Sequence, residues 1–264
     1  MSSSNEKSFS PLGKRMRVLV LSNTYPLGED DNSAIFLRTL YEEMVGSQNV
    51  EIRLLAADHH LVDDSKNHID HLTIKRFQYW FKKRQTLAYG DAILSNLNRS
   101  RFNYLLIPIY VLSLFWNGSV QIIRFKPDMI HAHWAVPTGF VAVLLSKLFG
   151  IPMMVTSHGG DVYGYSKGPF KSVLRFVYNN SVKINAVSHA LLEEIRSFHP
   201  TCVSKAFVKS MGVDSNNFSF LPNSKAELGI SEDEKVVLFV GRLSEVKGVN
   251  YLIDAIAILN ENAA

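Results

Sequence analysis

The chain has 264 residues, 47% of them hydrophobic and 20% charged, with a formal net charge of +4. That balance is globular, argues against disorder and supplies enough apolar material for a sizeable core. Cys202 is the only cysteine, which excludes an intramolecular disulfide and fits a reducing compartment such as the cytoplasm.

Residues 1–14 are Ser-rich and charged and read as a flexible tail; the apolar stretch behind them, Val18 to Leu21, is too short for a signal-peptide core. Arg17 to Leu21 is the first expected strand, followed by the polar positions Ser22, Asn23, Thr24 and Tyr25. Ser33 is placed to cap a helix whose inward stripe is Phe36, Leu37, Leu40, Tyr41 and Met44. A second strand is expected over Glu51 to Ala56.

Between His71 and Gly90 the chain carries Lys75, Arg76, Lys82, Lys83 and Arg84 without an acidic residue, interleaved with Phe77, Tyr79, Trp80 and Phe81. Tyr104 to Trp116 is then almost wholly apolar, interrupted by Pro108 and Ser113, and shorter than the roughly 20 residues that cross a bilayer. Two readings stay open: a solvated basic segment before a buried helix, or a membrane-surface contact through 75–84 and 104–116.

Further apolar strands are expected at Met129–Ala132, Met153–Ser157 and Ile184–Val187, the last leading to Ser188 as the cap of a helix bearing Leu191, Leu192 and Ile195. Continuous apolar strands alternating with helices indicate a parallel sheet covered on both faces, an α/β chain of Rossmann-like type. In such sheets ligands sit beyond the carboxyl ends of the strands. The residues there are Asn23, Tyr25, His131, His133, His158, Gly159, Gly160, Asp161, Ser188 and His189. Each strand-end histidine taken alone is as well explained as a satisfied near-core residue; their convergence on one edge argues for a site.

The first domain is expected over 15–212 and a polar linker over 213–234. A second unit follows over 235–264, with a strand at Val236 to Val240, a loop at Gly241 to Lys247 and a helix at Gly248 to Leu259. One strand and one helix cannot enclose a core, so this second domain reads as incomplete. Its loop, Gly241-Arg242-Leu243-Ser244-Glu245-Val246-Lys247-Gly248, offers helix N–H groups and two cations to a phosphate, or is an ordinary basic turn.

This Gly-Arg-Leu-x-x-x-Lys-Gly segment resembles the start of the C-terminal domain of the family-four glycosyltransferases, retaining enzymes of the GT-B fold. Asp128 to Trp134, Thr156 to Asp161, Ala186 to Ser188 and Met211 to Asp214 are similar to that family's N-terminal domain, in the expected order. The resemblance implies transfer of a sugar from a nucleoside diphosphate sugar to a hydroxyl of a saccharide or lipid-linked acceptor, with retention, no metal and no other cofactor. Arg242 and Lys247 would grip the donor diphosphate, and His158 would act at the reacting sugar. Asn23, Tyr25, His133, Gly159, Asp161 and Ser188 are the cleft or acceptor candidates.

Two departures from the family stand out. Only Gly28 remains of the glycines common in the first strand-to-helix loop, and the paired-glutamate motif that holds ribose and donor sugar does not occur within the chain. A truncated, inactive acceptor- or partner-binding fragment is therefore the non-enzymatic alternative. The His131-Ala132-His133 spacing also permits a metal-dependent hydrolase. A nicotinamide dehydrogenase is disfavoured because Ser22 to Leu27 lacks the glycine-rich fingerprint, and no nucleic-acid-binding motif accompanies the basic segment.

Overall fold

A computed structural model describes residues 14–63, 69–90, 93–213, 215, 218, 224–241, 243 and 247–263. The chain divides into two units, 1–214 and 215–264. The first is built on seven parallel strands: β1 Met16–Leu21, β2 Val50–Ala57, β3 Leu72–Phe77, β4 Met129–His133, β5 Met153–Ser157, β6 Lys183–Ala186 and β7 Ala206–Val208, in the order β3-β2-β1-β4-β5-β6-β7. All neighbours pair in parallel, so every carboxyl end lies on one edge.

The five central strands fall where their continuous apolar runs place them. The two edges do not announce themselves: β3 reads Leu-Thr-Ile-Lys-Arg-Phe and β7 has three residues. Lys75 and Arg76 thus belong to a strand, with Lys75 exposed and Arg76 half-buried. Arg76 donates to the carbonyls of Tyr25 and Pro26 and to the Tyr89 hydroxyl, and Phe77 and Tyr79 are buried.

Alternate residues of β1 separate the two cores. Val18 and Val20 face helix α1 (Ile35–Ser47), where Leu37, Tyr41 and Val45 are buried; Leu19 and Leu21 belong to the cluster on the other face. Most of that second cluster's helical residues come from α3 (Phe102–Phe125), which follows the short α2 (Ile93–Arg99), α4 (Phe140–Phe149) and α6 (Phe170–Asn180), the last after a single turn, α5 (Gly160–Tyr163).

Ser33 does not cap α1. The residue at that position is Ala34, in the left-handed region at φ 53°, and no side chain caps the helix. Asp31 holds the approach instead, its carboxylate accepting the N–H groups of Leu27 and Ser33 at 2.7 and 3.0 Å. Arg38 adds bonds to the Gly28 and Glu29 carbonyls, so side chains fix this loop. Ser188 does cap its helix, α7 (His189–Phe198), accepting from the Leu191 N–H.

Tyr104 to Trp116 is the middle of a helix 24 residues long, which runs through Pro108 and Ser113 and reaches Phe125. It is long and apolar enough to cross a membrane by length and composition alone. Its stripe Leu106, Tyr110, Leu114, Ile122 and Phe125 is buried, whereas Tyr104, Leu105, Leu112, Trp116 and Ile123 are exposed. One face is a core face and the other is apolar and open.

In the second unit, α8 (Ser224–Glu227) and α9 (Val249–Ala263) form, but Val236 to Val240 is not a strand. No neighbouring strand pairs with it among the described residues, and Leu238 and Val240 are 78% and 84% exposed. An extended apolar segment joins a sheet only where other strands take its N–H and C=O groups.

Helix α3 meets α4 at Gly118, where an added Cβ would lie 2.6 Å from the Leu145 Cδ1 atom. Gly118→Val is expected to lower stability by about 1–3 kcal/mol through overpacking, and Leu145→Ala is expected to cost less in that background than in the wild type. Urea unfolding of the two single variants and the double variant measures the coupling.

Candidate active site

The chain runs outward from β1 to β3 on one side and from β4 to β7 on the other, so the strand order reverses between β1 and β4. A parallel sheet opens a crevice at such a reversal. Asn23 follows β1, His133 ends β4, His158 follows β5 and Ser188 follows β6, four adjacent carboxyl ends in a row.

The loop after β5 depends on one carboxylate. Asp161 accepts the His158 N–H at 2.9 Å through Oδ1 and the Ala135 N–H at 2.6 Å through Oδ2. Its own N–H and that of Gly159 also favour its charged form. Burial outweighs these bonds and holds the Asp161 pKa above the usual carboxylate value. Gly159, between His158 and Asp161, has φ 103°, a conformation that L side chains rarely adopt. Together they turn the chain sharply and tie the β5 loop to the β4 loop.

His158 sits between the rings of Trp134 and Phe36, with centroids at 4.7 and 5.0 Å. Its Nε2 is 2.9 Å from Nδ1 of His133. Behind this pair, the Tyr41 hydroxyl lies 2.5 Å from His133 Nε2 and 2.9 Å from His131 Nδ1, and His131 Nε2 lies 2.8 Å from Thr156 Oγ1. All four nitrogens of the two buried histidines are thereby engaged with side chains, which leaves them none for a metal. Among the described residues no group of three or more His, Cys, Asp or Glu side chains gathers as metal ligands would.

Burial removes the charge from this array. Desolvation brings the His131 pKa down to about 4 and the His158 pKa down to about 3, and holds His133 well below the ordinary value. The neighbouring histidines act in the same direction on His133 and His158. Burial also raises Tyr41 well above the usual phenol value. At neutral pH the whole array is uncharged.

Other predicted positions are spent on support. Asn23 is buried, and its Oδ1 accepts from the Thr138 and Tyr110 hydroxyls at 2.5 and 3.1 Å. Tyr25 is buried beneath the Arg76 guanidinium, 5.5 Å from the ring centroid, and burial raises its pKa to about 12. Ser188 and His189 are exposed at the start of α7. Lys247 is exposed in the second unit, and Arg242 lies outside the described residues.

Tyr41, Thr156 and Phe36 complete the site but read from the sequence only as core and strand residues. The available signal was Tyr41, a phenol on the core-facing stripe of α1, whose hydroxyl needed a buried partner.

Residues 96–217 match the model described as Glycosyltransferase Family 4, and residues 222–264 the model described as Glycosyl transferases group 1. A Bacillus subtilis protein named as a teichuronic acid biosynthesis glycosyltransferase, TuaC, is 38% identical over 143 residues, covering 52% of this chain and 36% of that protein. The N-acetyl-alpha-D-glucosaminyl L-malate synthase of Bacillus anthracis is 25% identical over 178 residues, covering 66% of this chain and 47% of the synthase. The crystal structure of Anabaena Alr3699/HepE in complex with UDP-glucose superposes with a TM-score of 0.58 at 17% identity, covering 92% of this chain and 57% of that one. The chain thus spans less than half the length of these two curated relatives.

The parallel sheet and its strand order are those of a Rossmann-like GT-B half. The chain belongs to the family-four GT-B glycosyltransferases.

The neutral histidines predict a steep acid response. Their folded pKa values lie below the unfolded value of 6.5, so between pH 6.5 and 4 the unfolded chain binds more protons and stability falls as pH falls. His131 and His133 should each contribute a slope of about 1.4 kcal/mol per pH unit at most. Urea midpoints measured from pH 7.5 to 4.5 should drop below pH 6.5; a flat profile would contradict uncharged burial.

Proposed function

We propose that this chain carries the acceptor-side domain of a retaining glycosyltransferase. It would move a sugar from a nucleoside diphosphate sugar to an acceptor hydroxyl in cell-surface polysaccharide or glycolipid biosynthesis, at the cytoplasmic face of the membrane. The observation that carries this reading is His158, fixed between two aromatic rings by the Asp161 loop and hydrogen-bonded to His133 at the sheet's strand-order reversal. A neutral, oriented polar group beside an open edge suits the recognition of a sugar hydroxyl. UDP and UDP-glucose in the Anabaena structures support the donor class. Arg242 and Lys247 are the proposed diphosphate contacts; they and the helix behind them would stabilise the leaving group without a metal.

The acceptor side has its own cavity, of about 740 Å³, beyond the ends of β2 and β3. It includes His59, His60, Lys83, Arg84, Tyr89 and Phe102, a cationic and aromatic wall. An anionic acceptor fits this lining. The relatives' names contain teichuronic acid, L-malate and D-inositol 3-phosphate, all of them anions. The cavity opens three strands along the edge from His158, about 14 Å at ordinary strand spacing, so an acceptor that fills it and reaches the histidine exceeds one sugar ring.

The surface around that cavity also suits a lipid-linked acceptor. Phe81 and the turn Lys82–Arg84 are exposed, and α3 exposes Tyr104, Leu105, Leu112 and Trp116. Cations beside open apolar side chains are what an anionic membrane surface attracts.

Two experiments test the reading. Transfer is assayed with a panel of nucleoside diphosphate sugars against anionic and neutral acceptors, using this chain and a form extended by a related second domain. Activity is expected in the extended form, unchanged by EDTA and reduced about 100-fold or more by His158→Ala with the far-UV CD retained. Absence of transfer from both forms would leave the binding-fragment reading. Separately, replacing Lys82, Lys83 and Arg84 by alanine should abolish sedimentation with vesicles rich in anionic lipid; binding that persists would remove the membrane contact.

A further inference from the structure

Five side chains form a single file: Thr156 Oγ1 to His131 Nε2 at 2.8 Å, His131 Nδ1 to the Tyr41 hydroxyl at 2.9 Å, that hydroxyl to His133 Nε2 at 2.5 Å, and His133 Nδ1 to His158 Nε2 at 2.9 Å. Each of the three inner members has two links and one proton. A neutral imidazole carries its hydrogen on one nitrogen, and a phenol has a single O–H. As long as the buried phenol also places its hydrogen within the file, the proton in one link fixes every other link, and the file has two ordered senses.

In the first sense Thr156 donates to His131 Nε2, His131 donates from Nδ1 to the Tyr41 oxygen, Tyr41 donates to His133 Nε2, and His133 donates from Nδ1 to His158 Nε2. His158 then carries its own hydrogen on Nδ1, the nitrogen that no protein group meets among the described residues. In the second sense every bond reverses. His158 donates inward from Nε2, its Nδ1 is a bare lone pair, and at the far end His131 donates into Thr156 Oγ1.

The two senses differ at Thr156. Its side chain makes this one hydrogen bond, and the residue is 1% exposed. In the second sense its own hydroxyl hydrogen is buried without an acceptor, a penalty that biases the equilibrium on the order of tenfold or more toward the first. Among the described residues no carboxylate bonds to the imidazoles: the oxygens of Asp161, three residues after His158, accept main-chain N–H groups.

We propose that Tyr41, acting through the two buried histidines, holds His158 in the tautomer with its hydrogen on Nδ1, so that His158 meets a sugar oxygen as a hydrogen-bond donor and not as a base. Tyr41, His131, His133 and Thr156 are positioning residues. Phe36 and Trp134 hold the plane of the ring, and the file sets which of its edges carries the hydrogen. Burial keeps all three imidazoles uncharged, which preserves the one-proton rule on which the file depends.

The donor role rests on the reading that His158 faces the transferred sugar; the tautomer does not, and the experiment separates them. Long-range 15N–1H correlation spectra of the full chain at pH 7, with the His158 signals assigned by their loss in His158→Asn, report which nitrogen is protonated. The Nδ1–H form is expected in the wild type, and a mixture of both tautomers in Tyr41→Phe. Thr156→Val, close in shape to the native residue, should give the same mixture should Tyr41→Phe fail to fold. An Nε2–H form in the wild type, or an unchanged Nδ1–H form in the variants, overturns the proposal.

The substrate role is read in the extended form. His158→Asn places an amide where Nδ1 stood and should retain about tenfold more kcat than His158→Ala, whereas equal losses in the two variants would overturn the donor role. Loss of transfer by every form together with the expected NMR result would sink the glycosyltransferase reading while leaving the tautomer in place.

Discussion

Seven strands running in one direction put every carboxyl end on the same edge, and the rest of the first unit follows from that constraint. A parallel sheet must be covered on both faces, because each crossover lays a helix across it. Here α1 takes one face and α3, α4 and α6 contribute to the other, so the central strands have apolar side chains on both sides. The only places left for polar side chains with access to solvent are the strand ends. The reversal of strand order between β1 and β4 then parts the crossovers, and that is where His133, His158 and their partners gather.

Such an edge carries polar groups that must nonetheless be satisfied, and two devices manage this. Asp161 gathers main-chain N–H groups at the turn after β5, and the Tyr41 hydroxyl gathers the histidines behind it. Neither is replaceable by bulk. An apolar residue at 161 would orphan several buried N–H groups at once, and one at 41 would orphan two imidazole nitrogens, each loss costing about 1–3 kcal/mol. The Asp161 charge is destabilised by burial and favoured by these donors together, so the carboxylate and the turn that supplies the donors depend on each other.

How much of this was legible depends on what each residue faces. β1, β2, β4, β5 and β6 are rich in buried apolar residues and announce themselves by them; β3 lies at the edge with Lys75 and Arg76 in it, so its strand character was masked by charge. The histidines were visible because their positions at strand ends are sequence facts. Tyr41 was not, because an inward phenol on an amphipathic helix satisfies the apolar pattern whether or not its hydroxyl has a task. Ser33 shows the reverse failure: its type suits a cap, but Asp31 takes the Ser33 and Leu27 N–H groups and the chain turns at Ala34, so the helix starts one residue later. Val236 to Val240 has the pattern of a buried strand, yet pattern records what a segment can pair with and not whether a partner is present.

The burial of three uncharged histidines is what the proposed function asks of this edge. A charged imidazolium would attract any anion and would be hydrated, whereas a desolvated neutral ring offers one donor or one acceptor in a fixed direction. Sugar hydroxyls are neutral and differ mainly in where their oxygens point, so direction is the useful property. A cluster of cations, Lys83, Arg84 and Arg99, stands instead beside the cavity three strands away. On the proposed function, the sheet edge would separate two tasks that compete when placed together: attracting an anionic ligand, which needs charge, and orienting a hydroxyl, which needs its absence.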